Sequence, residues 1–390
     1  MGLHAHDLMV FYIMTILPDF RLETHFSKWE FNAKHHLTAS DAQSISLPEL
    51  LNMASDDDRR AFETMWLGYT ETFGDPALRE AIAGTFQAQR PDNILCFAGA
   101  SEGIFAANQV LLSKDDHAIV VTPNYQSHET LPQSICDVSA VPLDPQDGWS
   151  LDIDRVAATI RPNTKLITIN FPHNPTGAIL SHDRYQALIA LCRKHGIYIL
   201  HDEIFHGLGA TGTKHLPFIA DEYERGLSLG VMSKSYGLPG LRIGWIACQD
   251  KAVLSAMERM KHYLSICNSG PSEKLSIIAL KNKDKLIGRN NAIIDHNLPL
   301  WAGFFAKYND LFECQRPDGS CMGFAKYKGP EGIDAFAETL IQEAGILILP
   351  SAIYRSELGQ TPDNYFRYGY GRTGLAEGLE AFDAYLSQRK

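Results

Sequence analysis

A chain of 390 residues is long enough to bury a large core and to form two domains, or one large domain with a smaller one. Hydrophobic residues make up 45% and charged residues 21%, which is an ordinary globular balance. The formal net charge of −11 argues against nucleic acid as a partner, because nucleic-acid binding needs clustered positive charge.

The N-terminal segment and the cysteines bear on the cellular compartment. An apolar run at residues 8–17 is too short to span a bilayer, and it lacks the basic segment and the cleavage site of a signal peptide. The seven cysteines are scattered, without a CxxC pair or zinc-ligand spacing. We therefore expect a cytoplasmic protein with reduced thiols, and neither a membrane partner nor a metal.

Short apolar runs dominate the middle of the chain and alternate with helical patterns such as 103–112 and 184–195. The runs are apolar on both faces and end at polar or glycine-rich turns, as buried parallel strands do. They lie at residues 94–98, 118–122, 138–142, 166–171, 197–201, 227–232 and 244–248. The alternation predicts an α/β fold whose large domain, residues 51–285, contains a mainly parallel seven-stranded sheet.

The pattern changes after residue 285. Strand-like runs at 324–328, 347–349 and 366–370 stand among the helical patterns 332–344 and 375–386. This mixture predicts a smaller α+β domain over residues 286–390.

Polar and glycine residues follow several of the predicted strands, at the point where each strand ends. In an open parallel sheet, ligands collect at the carboxyl ends of the strands, so these residues should converge on one site. They are Gly-Ala-Ser-Glu-Gly at 99–103, Asn-Tyr at 124–125, the segment 171–177, Asp-Glu at 202–203, and Ser-Lys-Ser at 233–235 with Arg242 shortly after.

The residue types in this group predict a phosphate site beside a reactive amine. Ala100 and Ser101 open a helix after a glycine turn, where backbone N–H groups and the helix dipole hold a phosphate. Ser233 and Arg242 would complete the phosphate cup, which we define as these four residues. Lys234 ends a buried strand, where desolvation lowers its pKa and leaves a nucleophilic amine.

Three further residues suit an aromatic heterocycle. Asp202 would keep a pyridine nitrogen protonated, which makes the ring an electron sink. Asn174 could donate to a ring oxygen, and Tyr125 could stack on the ring face.

The segment 233–245, Ser-Lys-Ser-Tyr-Gly-Leu-Pro-Gly-Leu-Arg-Ile-Gly-Trp, resembles the signature of the class I/II aminotransferases, a fold type I family. Asn-Pro-Thr-Gly at 174–177 and Asp-Glu at 202–203 match two more motifs of that family in the same order. The resemblance implies pyridoxal 5′-phosphate (PLP) as cofactor, a Schiff base on Lys234, and catalysis by Lys234 and Asp202. It also implies an amino acid as the substrate.

Two other positions are similar to family sites. Tyr69, in a segment that contains Gly74, resembles the tyrosine that reaches the phosphate of a neighbouring subunit. Arg367 stands where the family has the arginine that binds the substrate carboxylate, together with Asn174. The resemblance therefore implies a homodimer with shared active sites.

The chain departs from the family at Phe205 and at its N-terminus. Phe205 replaces a tyrosine that donates to the cofactor ring oxygen, so we expect a raised pKa of the Schiff base. The segments 27–32 and 37–44 are similar instead to PLP oxidases and cyclases that handle L-arginine, in which acidic residues bind the guanidinium. Glu30 and Asp41 are those positions here, unless they are ordinary surface or capping carboxylates.

The similarity predicts an L-amino acid substrate, with L-arginine favoured. It also predicts that residues 1–50 form an N-terminal arm that packs on the small domain and the active site. The reaction is transamination or oxidative deamination or desaturation, and cyclisation of a hydroxyarginine-like substrate is the alternative. Gln43 stands where the oxidases have a histidine, which disfavours hydroxylation.

Two other functions compete with this interpretation. Gly99 to Gly103 fits the G-x-S-x-G elbow of a serine hydrolase, with Ser101 as nucleophile and His262 or His296 as base, but this leaves the other site residues unexplained. A catalytically inactive binding protein is opposed by the complete set of cofactor residues. His201, Glu203 and His206 suggest a metal motif, but the histidines are five residues apart instead of four.

Overall fold

The computed structural model describes residues 17–389, so the apolar run predicted at 8–17 lies outside them except for Leu17. No helix within the described range is long and apolar enough to cross a membrane. The strands are β1 His35–His36, β2 Ile94–Phe97, β3 His117–Thr122, β4 Asp137–Pro142, β5 Thr164–Asn170, β6 Tyr198–Asp202, β7 Gly226–Val231, β8 Gly244–Cys248, β9 Phe312–Glu313, β10 Met322–Tyr327, β11 Ile346–Leu347, β12 Leu349–Pro350 and β13 Tyr365–Gly369.

The helices lie between these strands and at both ends of the described range. They are α1 Arg21–Trp29, α2 Leu47–Leu51, α3 Asp56–Glu63, α4 Pro76–Ala83, α5 Ala100–Leu111, α6 Ser127–Gln133, α7 Ile153–Thr159, α8 His182–His195, α9 Ile219–Glu222, α10 Lys251–Lys261, α11 Gly270–Lys281, α12 Lys283–Lys307, α13 Ile333–Ala344 and α14 Leu375–Ser387.

The large sheet has seven strands in the order β2-β8-β7-β6-β5-β3-β4. β8 runs antiparallel to both of its neighbours, and the other pairs are parallel, so the predicted mainly parallel sheet is confirmed. Every residue of β2, β3, β6 and β8 is buried, which explains why these strands read as continuous apolar runs.

Local signals set the ends of the helices that cover this sheet. Ser181 caps α8 by accepting a hydrogen bond from the Arg184 N–H, and α8 ends at Gly196, whose φ of 67° is left-handed. Asp250 caps α10 in the same way through the N–H groups of Ala252 and Val253.

The C-terminal part forms a four-stranded antiparallel sheet in the order β12-β13-β10-β9. Its core is aromatic and includes Trp301, Phe304, Phe366 and Phe382. The single strand predicted at 347–349 is wrong, because β11 pairs with β1 whereas β12 pairs with β13. The backbone changes its pairing from β1 to β13 within this run, and the hydrophobic pattern alone could not locate that change.

Residues 35–43 lie along the C-terminal strands. The Leu37 N–H donates to Leu347 O at 3.0 Å, and the Gly369 N–H donates to Leu37 O at 2.8 Å. A Cβ at Gly369 would lie 2.2 Å from Ala39 O, so only glycine permits this close approach. The domain boundaries at residues 50 and 285 stay a prediction, which the separate cores around the two sheets support.

Candidate active site

Lys234 follows β7 at the carboxyl edge of the large sheet. Its Nζ donates to Ser40 Oγ at 3.1 Å and lies 5.9 Å from the centre of the Phe205 ring. Burial lowers the pKa of Lys234, and the nearby Asp41 carboxylate partly opposes that shift. The lysine is therefore closer to a neutral, nucleophilic amine than a surface lysine would be.

Asp202 ends the neighbouring strand β6 and is 2% exposed. One carboxylate oxygen lies 2.8 Å from His128 Nε2, and the Asn170 amide donates to the Asp202 carbonyl at 2.7 Å. His128 and Asn170 were not predicted. His128 lies one helical turn after Tyr125, and that spacing was the available signal.

Gly99 and Arg242 shape the phosphate cup. Gly99 has a φ of +97°, and a Cβ there would lie 2.5 Å from Arg242 Nη2, so the guanidinium packs against this glycine. The exposed Ser101 lies in the first turn of α5, which begins at Ala100. Ser233, 8% exposed, immediately precedes Lys234. The helix terminus and guanidinium thus face the same space, as an anion site requires.

Tyr125 follows β3, and its hydroxyl lies within hydrogen-bond reach of Ser101 in the phosphate cup. Its hydroxyl donates to Glu23 Oε1 at 3.0 Å, and its ring centre is 4.9 Å from that of Phe20. Burial and the Glu23 carboxylate raise the pKa of Tyr125 above its usual range, so the hydroxyl stays protonated. Glu23, a residue of α1, was not predicted to be in the site.

Arg367 lies on β13 of the small sheet and is fully buried. Its Nε and Nη2 donate to the Thr38 carbonyl at 3.0 and 2.8 Å, and its Nη1 donates to Asn174 Oδ1 at 3.2 Å. Tyr354 OH also donates to that oxygen, at 3.4 Å. The amide nitrogen of Asn174 therefore remains the group that can donate to a ligand.

Asp41 forms a bidentate pair with Arg372, at 2.9 Å from Nε and 2.8 Å from Nη2. Burial alone would raise the pKa of Asp41, but the hydrogen bonds and the nearby cations hold it below its usual range. Burial opposes the charge of Arg372, yet Asp41 and the charge of nearby Glu30 outweigh it and raise the pKa of that guanidinium. Arg372 was not predicted.

Several predicted residues lie elsewhere or have structural partners. Tyr69 is 92% exposed on its own chain. His201 Nδ1 lies 3.0 Å from Glu203 Oε1, and His206 Nε2 bonds the Leu216 carbonyl at 3.1 Å, so each histidine contacts a protein group instead of sharing a metal site. Within residues 17–389, no histidine is hydrogen-bonded to Ser101, and no cluster suits a metal ion.

The residues present suit PLP. The glycine at position 99 leaves room that a Cβ would fill, beside a helix N-terminus and an arginine suited to phosphate. A buried carboxylate at Asp202 and a desolvated amine at Lys234 are the partners that the ring nitrogen and the carbonyl carbon of PLP need. The fold and site thus define a PLP-dependent enzyme.

Comparisons with known proteins agree with this class. The family described as aminotransferase class I and II matches residues 39–373. Capreomycidine synthase of Streptomyces vinaceus is 27% identical over 95% of this chain and 94% of its own. Arginine–pyruvate transaminase of Pseudomonas aeruginosa is 33% identical over 46% of this chain and 47% of its own.

A solved structure shows the same architecture over nearly the whole chain. The PLP-dependent aminotransferase from Streptococcus suis superposes with a TM-score of 0.88 at 26% identity, covering 96% of this chain and 99% of that one. The chain belongs to the class I and II aminotransferase family. It is a PLP-dependent, aminotransferase-like enzyme of fold type I, and the serine hydrolase alternative is not supported.

Proposed function

We propose that this enzyme acts on a cationic L-amino acid, with L-arginine as the favoured substrate, by transamination or oxidative deamination. The observation that carries this proposal is the group of carboxylates at the site, with Glu23 and Asp41 near Lys234 and Glu30 near Arg372, which suits a substrate with a positive distal group. The likeness to capreomycidine synthase and to an arginine–pyruvate transaminase supports the same substrate class.

The chain's own residues supply binding and proton transfer in this proposal. Arg367 holds the substrate α-carboxylate with its planar guanidinium, which Thr38 and Asn174 already orient. Lys234 Nζ moves the proton of the substrate α-carbon as base and then as acid, and Ser40 Oγ keeps that nitrogen in place. Bound PLP supplies an electron sink, and Asp202, fixed by His128, keeps its ring nitrogen protonated.

The fork between Asp41 and Arg372 supports a guanidinium-binding role for Asp41, because its carboxylate already binds the guanidinium of Arg372. If Asp41 and Glu30 bind the substrate, the substrate guanidinium must either bind Asp41 together with Arg372 or displace Arg372 from it. Asp41→Asn and Glu30→Gln should then raise the KM for L-arginine by about tenfold or more, the worth of a hydrogen bond between charged groups.

The first experiment uses the purified protein loaded with PLP. We expect a visible absorption band that is lost in Lys234→Ala, and turnover of L-arginine either with oxygen uptake or with an added keto acid. Oxygen uptake with arginine alone indicates oxidation, whereas strict dependence on a keto acid indicates transamination. A protein that gains no band with added PLP would contradict the proposal.

Cyclisation of a hydroxyarginine-like substrate is the second candidate. The likeness to capreomycidine synthase over 95% of the chain favours it. Mass spectrometry of products from hydroxyarginine distinguishes it from transamination and oxidative deamination, since cyclisation loses water and keeps the amino group, and NMR separates the ring from the open unsaturated product of the same mass. We also propose a cytoplasmic location, which the seven unpaired cysteines support.

We further propose a homodimer with shared active sites. Two segments expose large apolar side chains, which isolated proteins seldom leave in water. These are Trp66, Leu67 and Tyr69 at 92%, 80% and 92% exposure, and Tyr263 and Ile266 at 89% and 50%. We call these five residues the subunit face.

A buried lysine holds the two segments of the subunit face together. Lys261 Nζ donates to Thr72 O and Cys96 O at 2.7 Å each and to Asn268 Oδ1 at 3.1 Å.

Trp66→Glu should shift the protein from dimer to monomer in light scattering. Tyr69→Phe should leave the dimer intact but weaken cofactor binding, and an unchanged cofactor Kd would exclude Tyr69 from the neighbouring site.

A further inference from the structure

Helix α1 directs one face toward the active site. Glu23, Phe26 and Glu30 are spaced three and four residues apart, so they lie along one side of the helix. Phe26 lies 5.8 Å from the Arg367 guanidinium, measured to its ring centre. Glu23 accepts the hydrogen bond from Tyr125, the residue that the sequence predicts to stack on the cofactor ring.

The carboxylates of the site differ in how far the protein already neutralises them. Asp202 is held by His128, and both oxygens of Asp41 are bonded to Arg372. Glu23 is exposed and bonded through Oε1 to a neutral hydroxyl. Within residues 17–389, no lysine or arginine forms an ion pair with Glu23.

Glu23 is also close to the reacting end of the site. Its charge raises the pKa of Lys234, although burial of that lysine is the largest effect and lowers it. Phe26, which packs against Arg367, is one turn along α1 from Glu23, a rise of about 4.5 Å. A basic amino acid held by Arg367 could therefore extend its cationic end to Glu23.

We propose that Glu23 is the residue that selects the distal cation of the substrate. This inference rests on the proposed function and deepens it, because it assigns specificity to the carboxylate that the protein itself leaves without a cation. Tyr125 OH orients Glu23 through Oε1 and leaves Oε2 to a guanidinium or ammonium group. Asp41, by contrast, orients Arg372 and acts on the substrate only if that pair opens.

The test compares L-arginine with L-citrulline, which has the same length but a neutral end, in PLP-loaded enzyme. Glu23→Gln keeps the acceptor for Tyr125 and removes only the charge. Its ratio of kcat/KM for arginine over citrulline should fall about tenfold or more, mainly through a higher KM for arginine. Glu80→Gln, the same change at an exposed position on α4, should leave the ratio unchanged.

A second measurement uses protein without cofactor. Because Glu23 raises the pKa of Lys234, Glu23→Gln should capture PLP with a pH profile shifted to lower pH. Tyr125→Phe, which frees Glu23 without removing its charge, should lower the arginine preference by a smaller factor than Glu23→Gln.

The outcomes separate this inference from the proposed function. If the wild-type protein binds PLP and prefers arginine but Glu23→Gln keeps that preference, only the inference is overturned. If the wild-type protein treats arginine and citrulline alike, the inference and the arginine proposal both fail, while the cofactor assignment stands. If PLP adds no visible band, the proposed function itself fails and takes the inference with it.

Discussion

At the scale of single residues, the site depends on opposed effects at Lys234. Burial lowers the pKa of its ammonium group, and Asp41 raises it. The hydroxyl of Ser40 lies 3.1 Å from the amine and fixes its position without adding charge. The lowered pKa favours the neutral amine, which is the form that attacks a carbonyl and accepts a proton from carbon.

Phe205 gives a prediction about the cofactor itself. The side chain is fully buried beside Lys234 and has no hydroxyl to donate to a ring oxygen. Phe205→Tyr should lower the pH midpoint of the visible band by about one unit, since one hydrogen bond to a charged oxygen is worth roughly 1.4 kcal/mol. A spectrophotometric pH titration measures this shift.

Phe205→Leu is the matched control, because it changes the packing and adds no donor. An unchanged or higher midpoint in Phe205→Tyr, with the control at the wild-type value, would show that no hydrogen bond reaches the cofactor from this position.

At the scale of elements, the sequence predicted most of the large sheet because each strand is buried on both faces. The run at 244–248 coincides with β8, and the run at 94–98 overruns β2 by one residue. The residues after these strands come together at one edge, as the parallel topology requires. Lys234 and Asp202 could therefore be placed without coordinates.

Other parts of the site follow from contacts between residues far apart in the chain. Arg367 is hydrogen-bonded to Thr38, 329 residues away in the sequence, and Arg372 is hydrogen-bonded to Asp41, 331 residues away. Their pairing depends on how β1 docks on β11, and a two-residue strand has no periodicity to read. Glu23 was not predicted because the sequence of the nine-residue helix α1 does not indicate which part of the fold the helix packs against.

Gly99, at the start of α5, provides a test at this scale. Gly99→Ala puts a Cβ 2.5 Å from Arg242 Nη2 at a φ of +97°, so the guanidinium must move from the phosphate cup. We expect the PLP dissociation constant to rise about tenfold or more, as for the loss of one charge-assisted hydrogen bond. Titration of the visible band measures it.

Gly148→Ala separates backbone strain from the loss of phosphate binding. Gly148 has a φ of +61° with no atom within 4 Å of the added Cβ, so the substitution strains the turn without displacing a neighbour. Its thermal stability should fall while its PLP affinity stays at the wild-type value. Equal affinity losses in both variants would mean that Gly99→Ala acts through general destabilisation.

At the scale of the whole molecule, the site exists only where the two sheets meet. Asn174 comes from a loop of the large sheet and Arg367 from β13 of the small sheet, and one hydrogen bond of 3.2 Å joins them. A shift of one sheet against the other would move Arg367, to which we assign the substrate carboxylate, relative to Lys234. The extensive core around each sheet therefore serves the geometry of the reaction as well as stability.

Half-buried histidines make the stability of the whole chain sensitive to mild acid. Burial lowers the pKa of His36, His206 and His215 to about 4 each, with the charges of Arg372 and Arg367 adding to the effect at His36. An unfolded histidine titrates near 6.5, so below that pH the unfolded state binds more protons than the folded state. The stability that these neutral side chains contribute is thus complete above pH 6.5 and is lost as the pH falls toward 4.

The measurement is the urea midpoint of unfolding between pH 7 and pH 5, a range in which the carboxylates with lowered pKa, such as Asp41, stay ionised. The midpoint should fall steadily below pH 6.5. His215→Phe keeps a ring beside His206 and removes one titrating group, so its decline should be shallower. A midpoint that stays constant down to pH 5 would contradict the lowered pKa of these histidines, and an identical decline in the variant would contradict it for His215.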